Sequence, residues 1–220
     1  MPLELTELLS GRSLGGSTGP KLPVAVLTME LQRGVMGDLA SFPQLADAAT
    51  ERGIVANAAR LLAAFRAAHL TVMHCAAEFR ADREGTIANT PLHTAVLRRP
   101  EHLLEGTAAT ELVPGLGAEV TDYVSARRHG VSPFTGTPLH ATLESLGIRV
   151  LVVTGVSVNL GIPGLCIEAV NLGYQVVVAT DAVVGIPLDY ADSVVANTLS
   201  LVAGLATTDE IVRALDILTR

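Results

Sequence analysis

Residues 150–179 hold the feature that most restricts the fold. Val150 to Thr154 form an unbroken aliphatic and β-branched run that Gly155 stops; Ile162, Leu165, Cys166, Ala169 and Val170 then recur at helical spacing. Gly173 ends that helix and Gln175 to Ala179 returns as a strand. A strand apolar at every position is buried on both faces, and a strand, helix, strand unit of this length meets the minimum for a right-handed parallel crossover. The chain is therefore expected to build a parallel sheet covered by helices on both sides.

The remaining segments repeat the alternation. Val24 to Met29 reads as a first strand ending at Glu30. Ile54, Ala58, Leu61, Leu62 and Phe65 mark a helix with one apolar stripe, and Leu70 to Cys75 a second strand. A polar loop over Glu78 to Thr90 carries Arg80, Asp82, Arg83 and Glu84. Asp122 to Ala126 reads as a third strand before RRHG, and Leu139, Leu143 and Leu146 as the face of a short helix. One helix is expected from Tyr190 to Val202 and a last one from Asp209 to Leu218. The glycine-rich stretch GRSLGGSTGP at 11–20 reads as a flexible arm or surface turn, which divides the chain into an arm, 1–20, and one domain, 21–220.

Composition agrees with that architecture. Hydrophobic residues make up 49% of the 220, yet only 3% are aromatic and none is Trp, as expected where aliphatic strands pack against Ala-rich helices. The net charge of -7 argues against a nucleic-acid partner. Residues 1–10 carry Glu4 and Glu7 and no basic patch, so they do not read as a signal peptide, and no stretch reads as a membrane span. A cytoplasmic location is expected. Cys75 and Cys166 fall within expected buried elements and read as core thiols.

In a parallel α/β sheet, polar residues gather at the carboxyl ends of the strands. Glu30, Arg127 or Arg128, and the turn after Gly155 all fall at such ends. Three pieces here, VLTMELQ at 26–32, HGVSPFTGTPL at 129–139 and VVTGVSVNLG at 152–161, followed by GY at 173–174 and DA at 181–182, resemble the isochorismatase-like or cysteine-hydrolase superfamily. The resemblance spans nearly the whole chain. It implies a three-layer α/β/α sandwich with a mostly parallel six-stranded sheet, assembly as a homodimer or homotetramer, and a small-molecule pocket at the strand ends completed by a neighbouring subunit. It also implies a non-proline cis bond near Val156 and Ser157.

Family members with the full triad use an aspartate, a lysine and a cysteine to cleave amides and related small molecules. The resemblance puts Glu30 at the aspartate position, Arg128 at the lysine position and Gly161 at the cysteine position. Gly161 supplies no nucleophile, so covalent acyl transfer from that point is closed. Isochorismatase proper resembles this pattern at the glycine, and cleaves a vinyl ether by protonation and water addition. Glu30 keeps the carboxyl group one methylene further out; it either handles a proton or caps backbone N–H groups of the QRG turn. Arg128 keeps the charge of lysine but cannot shuttle a proton, and its planar donors suit a carboxylate on Glu30 or on substrate. Arg127 is an adjacent candidate for the same contact.

His129 is expected to orient Glu30 or donate to substrate, or else to serve only as a hydrogen-bonding loop residue. Ser157 and Asn159 are expected to hold the turn or touch substrate, with N–H groups at the start of the following helix facing developing negative charge. His74, Glu78 and Asp82 could ligate a metal, but their spacing does not match a metal set, and a core histidine needs fewer assumptions. No metal and no cofactor are expected. The function expected is hydrolysis of a small anionic metabolite by water, a vinyl ether fitting the chemistry best; the alternative is a noncatalytic ligand-binding or structural homologue.

Overall fold

The computed structural model describes residues 4–11 and 22–219. Six strands form one parallel sheet in the order β3-β2-β1-β4-β5-β6. They are β1 Val24–Met29, β2 Thr71–Ala77, β3 Tyr123–Arg127, β4 Val150–Val156, β5 Gln175–Val184 and β6 Gly204–Ala206. The helices are α1 Leu5–Leu9, α2 Arg33–Met36, α3 Pro43–Glu51, α4 Ile54–Ala67, α5 Pro91–Leu97, α6 Leu139–Ser145, α7 Gly161–Asn171, α8 Leu188–Asn197 and α9 Thr208–Thr219. This is the expected three-layer α/β/α arrangement.

Alternation along the strands separates two cores. Val24 and Val26 of β1 face Ile54, Leu61, Leu62 and Phe65 of α4, together with Ile211 and Leu215 of α9. Ala25, Leu27 and Met29 face the other way, onto Leu139 and Leu143 of α6 and Ile162 and Leu165 of α7. Both faces are dry, which is why β1 and β4 are buried at every residue.

The structure departs from the expected elements in four details. β6 completes the sheet beyond the strands read from the residues, and α3 and α5 form where no element was assigned. The helix expected from Tyr190 to Val202 ends at Asn197, followed by a 3-10 turn over Leu199–Leu201. Residues 4–11, assigned to an arm, include α1, which packs on α9 and β6 and buries Leu9 completely, so this part belongs to the domain. Residues 12–20 of the expected arm lie outside the described residues.

The chain builds outward from β1 to β2 and β3, then crosses back to place β4 on the other side of β1. That reversal opens a crevice at the carboxyl ends of β1 and β4. Gly155 lets the two strands meet there: its φ is +117°, and a Cβ would stand 2.2 Å from the Met29 carbonyl oxygen.

Candidate active site

Glu30 leaves β1 with φ at +51°, a left-handed conformation in which a side chain is strained. Its N–H donates to the Cys75 carbonyl at 2.8 Å. The neighbouring Gln32 is fully buried and holds the turn: its amide nitrogen donates to the carbonyls of Ala77 (2.9 Å) and Thr110 (3.0 Å), and its oxygen accepts from the Ala77 N–H (2.8 Å). The side chain thus replaces backbone pairing just past the strand ends. Glu30 is thereby fixed facing the end of β3.

There it forms an ion pair with Arg127, not with Arg128. Arg127 is the register partner of Ala77 and shares the inward side of β3 with Ser125, whereas Arg128 points out, 43% exposed, and reaches Glu105 at 3.4 Å. One residue of shift reverses the side on which a strand residue projects, so the expected contact of Arg128 with Glu30 is made by Arg127 instead. The Arg127 Nε donates to the Gly130 carbonyl at 3.0 Å, and Nη2 holds Glu30. Its Nη1 is buried and has no partner, although the residue is only 8% exposed.

The turn from β4 to α7 contains the expected cis bond, Val156–Ser157. The Ser157 hydroxyl donates to Asn159 Oδ1 (3.0 Å) and accepts from the Asn159 N–H (3.1 Å). Asn159 also pairs with both backbone groups of Ile186: its amide nitrogen donates to the carbonyl, and its oxygen accepts from the N–H at 2.8 Å. A Cβ on Gly185 would stand 2.3 Å from that oxygen, so the clamp needs glycine beside it. Asn159 therefore holds the turn, the first of its two expected roles, and it also lines the cavity. The Ser157 hydroxyl is likewise engaged in the turn while lining the cavity.

Leu160 and Ile162 N–H groups both donate to the Ser157 carbonyl, at 3.2 and 3.0 Å. Between them, the N–H of Gly161 has no acceptor among the described residues. A Cβ at Gly161 would meet Met29 Cε at 3.1 Å and the Val156 carbonyl at 3.3 Å, so Met29 occupies much of the space a side chain there would need. Cys75 and Cys166 are buried in the core, and burial pushes both thiols up to about 12. Neither lines the cavity.

These elements enclose a cavity of about 350 Å³. Its walls are mainly apolar, with Phe42, Leu45, Phe79, Leu103, Leu160 and Ile186 among the lining residues. Glu30, Arg127 and His129 line it; His129 makes no hydrogen bond to Glu30, and its buried Nδ1 has no partner. Two histidines that the sequence reading missed also line it. His93 of α5 is spoken for, with Nδ1 2.7 Å from the Thr90 hydroxyl and Nε2 3.3 Å from the Gly130 carbonyl. His102, from the loop after α5, lies 2.7 Å through Nδ1 from the Ser41 hydroxyl. Burial, reinforced by Arg83 and Arg99, pushes His102 down to about 4, which keeps it neutral near pH 7.

His74 lies away from this crevice. It is 1% exposed, bonded through Nδ1 to the Thr28 hydroxyl (2.9 Å) and through Nε2 to Asp122 (3.2 Å). Asp82 is held by Arg80 at 2.5 Å on the surface. Among the described residues, no group of three or more His, Cys, Asp or Glu is placed to hold a metal ion, and no helix is long and apolar enough to cross a membrane.

The model of the isochorismatase domain matches residues 24–210. The chain belongs to the isochorismatase family. Over 194 residues it is 28% identical to an uncharacterized isochorismatase family protein of Escherichia coli O157:H7, covering 87% of this chain and 95% of that one. An isochorismatase family protein from Burkholderia thailandensis superposes with a TM-score of 0.72 at 28% identity, over 90% of this chain and 98% of the other. A cysteine hydrolase from Pseudomonas syringae pv. phaseolicola shares the fold at 20% identity, with a TM-score of 0.75 over 90% and 96% of the two chains.

Proposed function

We propose that this isochorismatase-family chain is a hydrolase that uses water, not a cysteine, on a small anionic metabolite with an apolar body. The observation that carries the reading is Arg127, which lines the cavity with Glu30 and whose buried Nη1 has no partner. A desolvated guanidinium donor is costly unless something accepts from it, and a substrate carboxylate supplies that acceptor in the geometry arginine prefers. Gly161, placed at the cysteine position by the family resemblance, leaves a backbone N–H instead of a thiol, suited to developing negative charge.

A vinyl ether fits these groups. The substrate carboxylate takes over Arg127 and frees Glu30 to donate a proton. Glu30 gives that proton to the enol carbon; water adds to the resulting oxocarbenium ion and returns a proton to Glu30; the hemiketal collapses to an alcohol and a ketone. Such a reaction needs no cofactor. The same reading carries a cytoplasmic homodimer or homotetramer without a nucleic-acid or membrane partner; the resemblance supports the oligomer, and the -7 charge weighs against nucleic acid.

The closed Glu30 and Arg127 pair favours a second reading, a ligand-binding homologue without turnover. A panel of carboxylated vinyl ethers, followed by NMR for ketone release and by calorimetry for binding, separates the two. Turnover that falls by about 100-fold or more in Glu30→Gln supports the hydrolase. Full turnover in that variant sinks the proton role, and binding with no turnover across the panel favours the second reading.

A further inference from the structure

Most polar atoms around the cavity are already spent. Asn159 and Ser157 are engaged in the turn, His93 uses both ring nitrogens, and Arg127 Nε and Nη2 are paired. Apart from Arg127 Nη1 and His129 Nδ1, one further nitrogen of a lining side chain stays available: His102 Nε2, which has no hydrogen-bond partner among the described residues. His102 is only 9% exposed, and its ring is fixed by Ser41 on one edge and by Phe79, 5.8 Å away between centroids. Phe42, Leu45 and Leu103 line the same cavity.

We propose that His102 is a specificity residue that receives a hydroxyl group on the substrate's apolar body, at a point separate from the anion held by Arg127. The proposal rests on the anion reading given above. A hydroxyl both donates and accepts, so it satisfies Nε2 in either imidazole tautomer. A second carboxylate fits poorly, because a neutral ring offers it no charge. The donors of nearby Arg83 are turned away onto the carbonyls of Arg99, Pro100 and His102, and Arg99 lies over the Phe42 ring. The substrate class is therefore a monocarboxylate whose apolar body carries a hydroxyl, rather than a dicarboxylate or an acid with a bare apolar body.

Calorimetry with benzoate, the three hydroxybenzoate isomers, isophthalate and terephthalate tests this without needing turnover. One hydroxybenzoate should bind about fivefold or more tighter than benzoate, the scale of one good neutral hydrogen bond. His102→Leu should erase that preference, read as the ratio of hydroxybenzoate to benzoate affinity within the variant, and His102→Gln should retain part of it. In case His102→Leu folds poorly, imidazole ¹⁵N NMR of the unmodified protein provides a second readout: Nε2 should shift with the preferred hydroxybenzoate and not with benzoate. Equal affinity for all monocarboxylates, a preference that survives in His102→Leu, or tighter binding of a dicarboxylate overturns the proposal. Benzoate binding that is absent, or indifferent to Arg127→Gln, instead overturns the anion reading beneath it.

Discussion

Two polar clusters draw on the same three strands and end differently. Beneath α4, Thr28 of β1 bonds His74 of β2, His74 bonds Asp122 at the start of β3, and Asp122 is held by Arg66 of α4 at 2.5 Å. Asp122 takes a further bond from the Glu119 N–H at 3.0 Å. A few residues further along the same strands, in the crevice, Glu30 and Arg127 pair but leave Arg127 Nη1 and His129 Nδ1 buried and unmatched in residues that line a cavity. The first cluster is saturated from within the chain, and so serves to lock elements together. The second keeps unmatched polar groups in residues that line a space large enough for a ligand, which is how a site differs from a staple.

The largest effect on stability should come from opening the saturated cluster. Asp122→Ala strands Arg66 and His74 without their anion and should cost about 3–5 kcal/mol in urea unfolding. Arg127→Met should cost only about 1 kcal/mol, because one of its donors is already unpaired and Glu30 can turn to the open cavity. It should nevertheless abolish carboxylate binding in calorimetry. If the two substitutions destabilise equally, the contrast between staple and site fails.

Acidification should sharpen the comparison by a smaller amount. Burial holds His74 below its usual 6.5, so as pH drops past that value the unfolded chain takes up a proton the folded chain still refuses, and stability falls. For Asp122, burial works to raise the carboxyl, but Arg66, the Glu119 N–H and His74 outweigh it and hold it below the usual 3.8. Its contribution is present above that value and is lost as pH falls through the lower folded one, in the same direction. Urea midpoints should therefore drop from about pH 7.5 to about pH 5.5, and His74→Gln should shrink the drop while His102 supplies the remainder. A midpoint that rises on acidification would contradict the assignment.

The smallest effect should come from the sulfurs. A Cys75→Ala, Cys166→Ala protein should keep the ligand affinity and any turnover of the parent, since both thiols lie in the core away from the cavity. A lost activity that returned with either cysteine would restore sulfur chemistry to the site.

Much of this was readable in the chain. Val24 to Met29 and Val150 to Thr154 announce central strands because a strand buried on both faces has to be apolar throughout, and Glu30 announces the site because it is the first charge after such a run. The choice between Arg127 and Arg128 was not readable in the same way. β3 is a short edge strand whose first two residues are exposed, so alternation had almost nothing to fix its phase. His93 and His102 carried no signal, since they enter from α5 and the loop after it, where neither periodicity nor a motif marks an inward side.

The sequence alone determined the layered parallel sheet, the crevice at its strand ends and the lack of a side chain at Gly161, because burial and backbone chemistry act residue by residue. Tertiary structure alone decided which arginine meets Glu30, that Asn159 is consumed by the Ile186 backbone, and which donors are left over for a ligand. Those are outcomes of packing between segments far apart in the chain, and a hydrogen-bonding group is spent or free only relative to the partners that packing brings within reach.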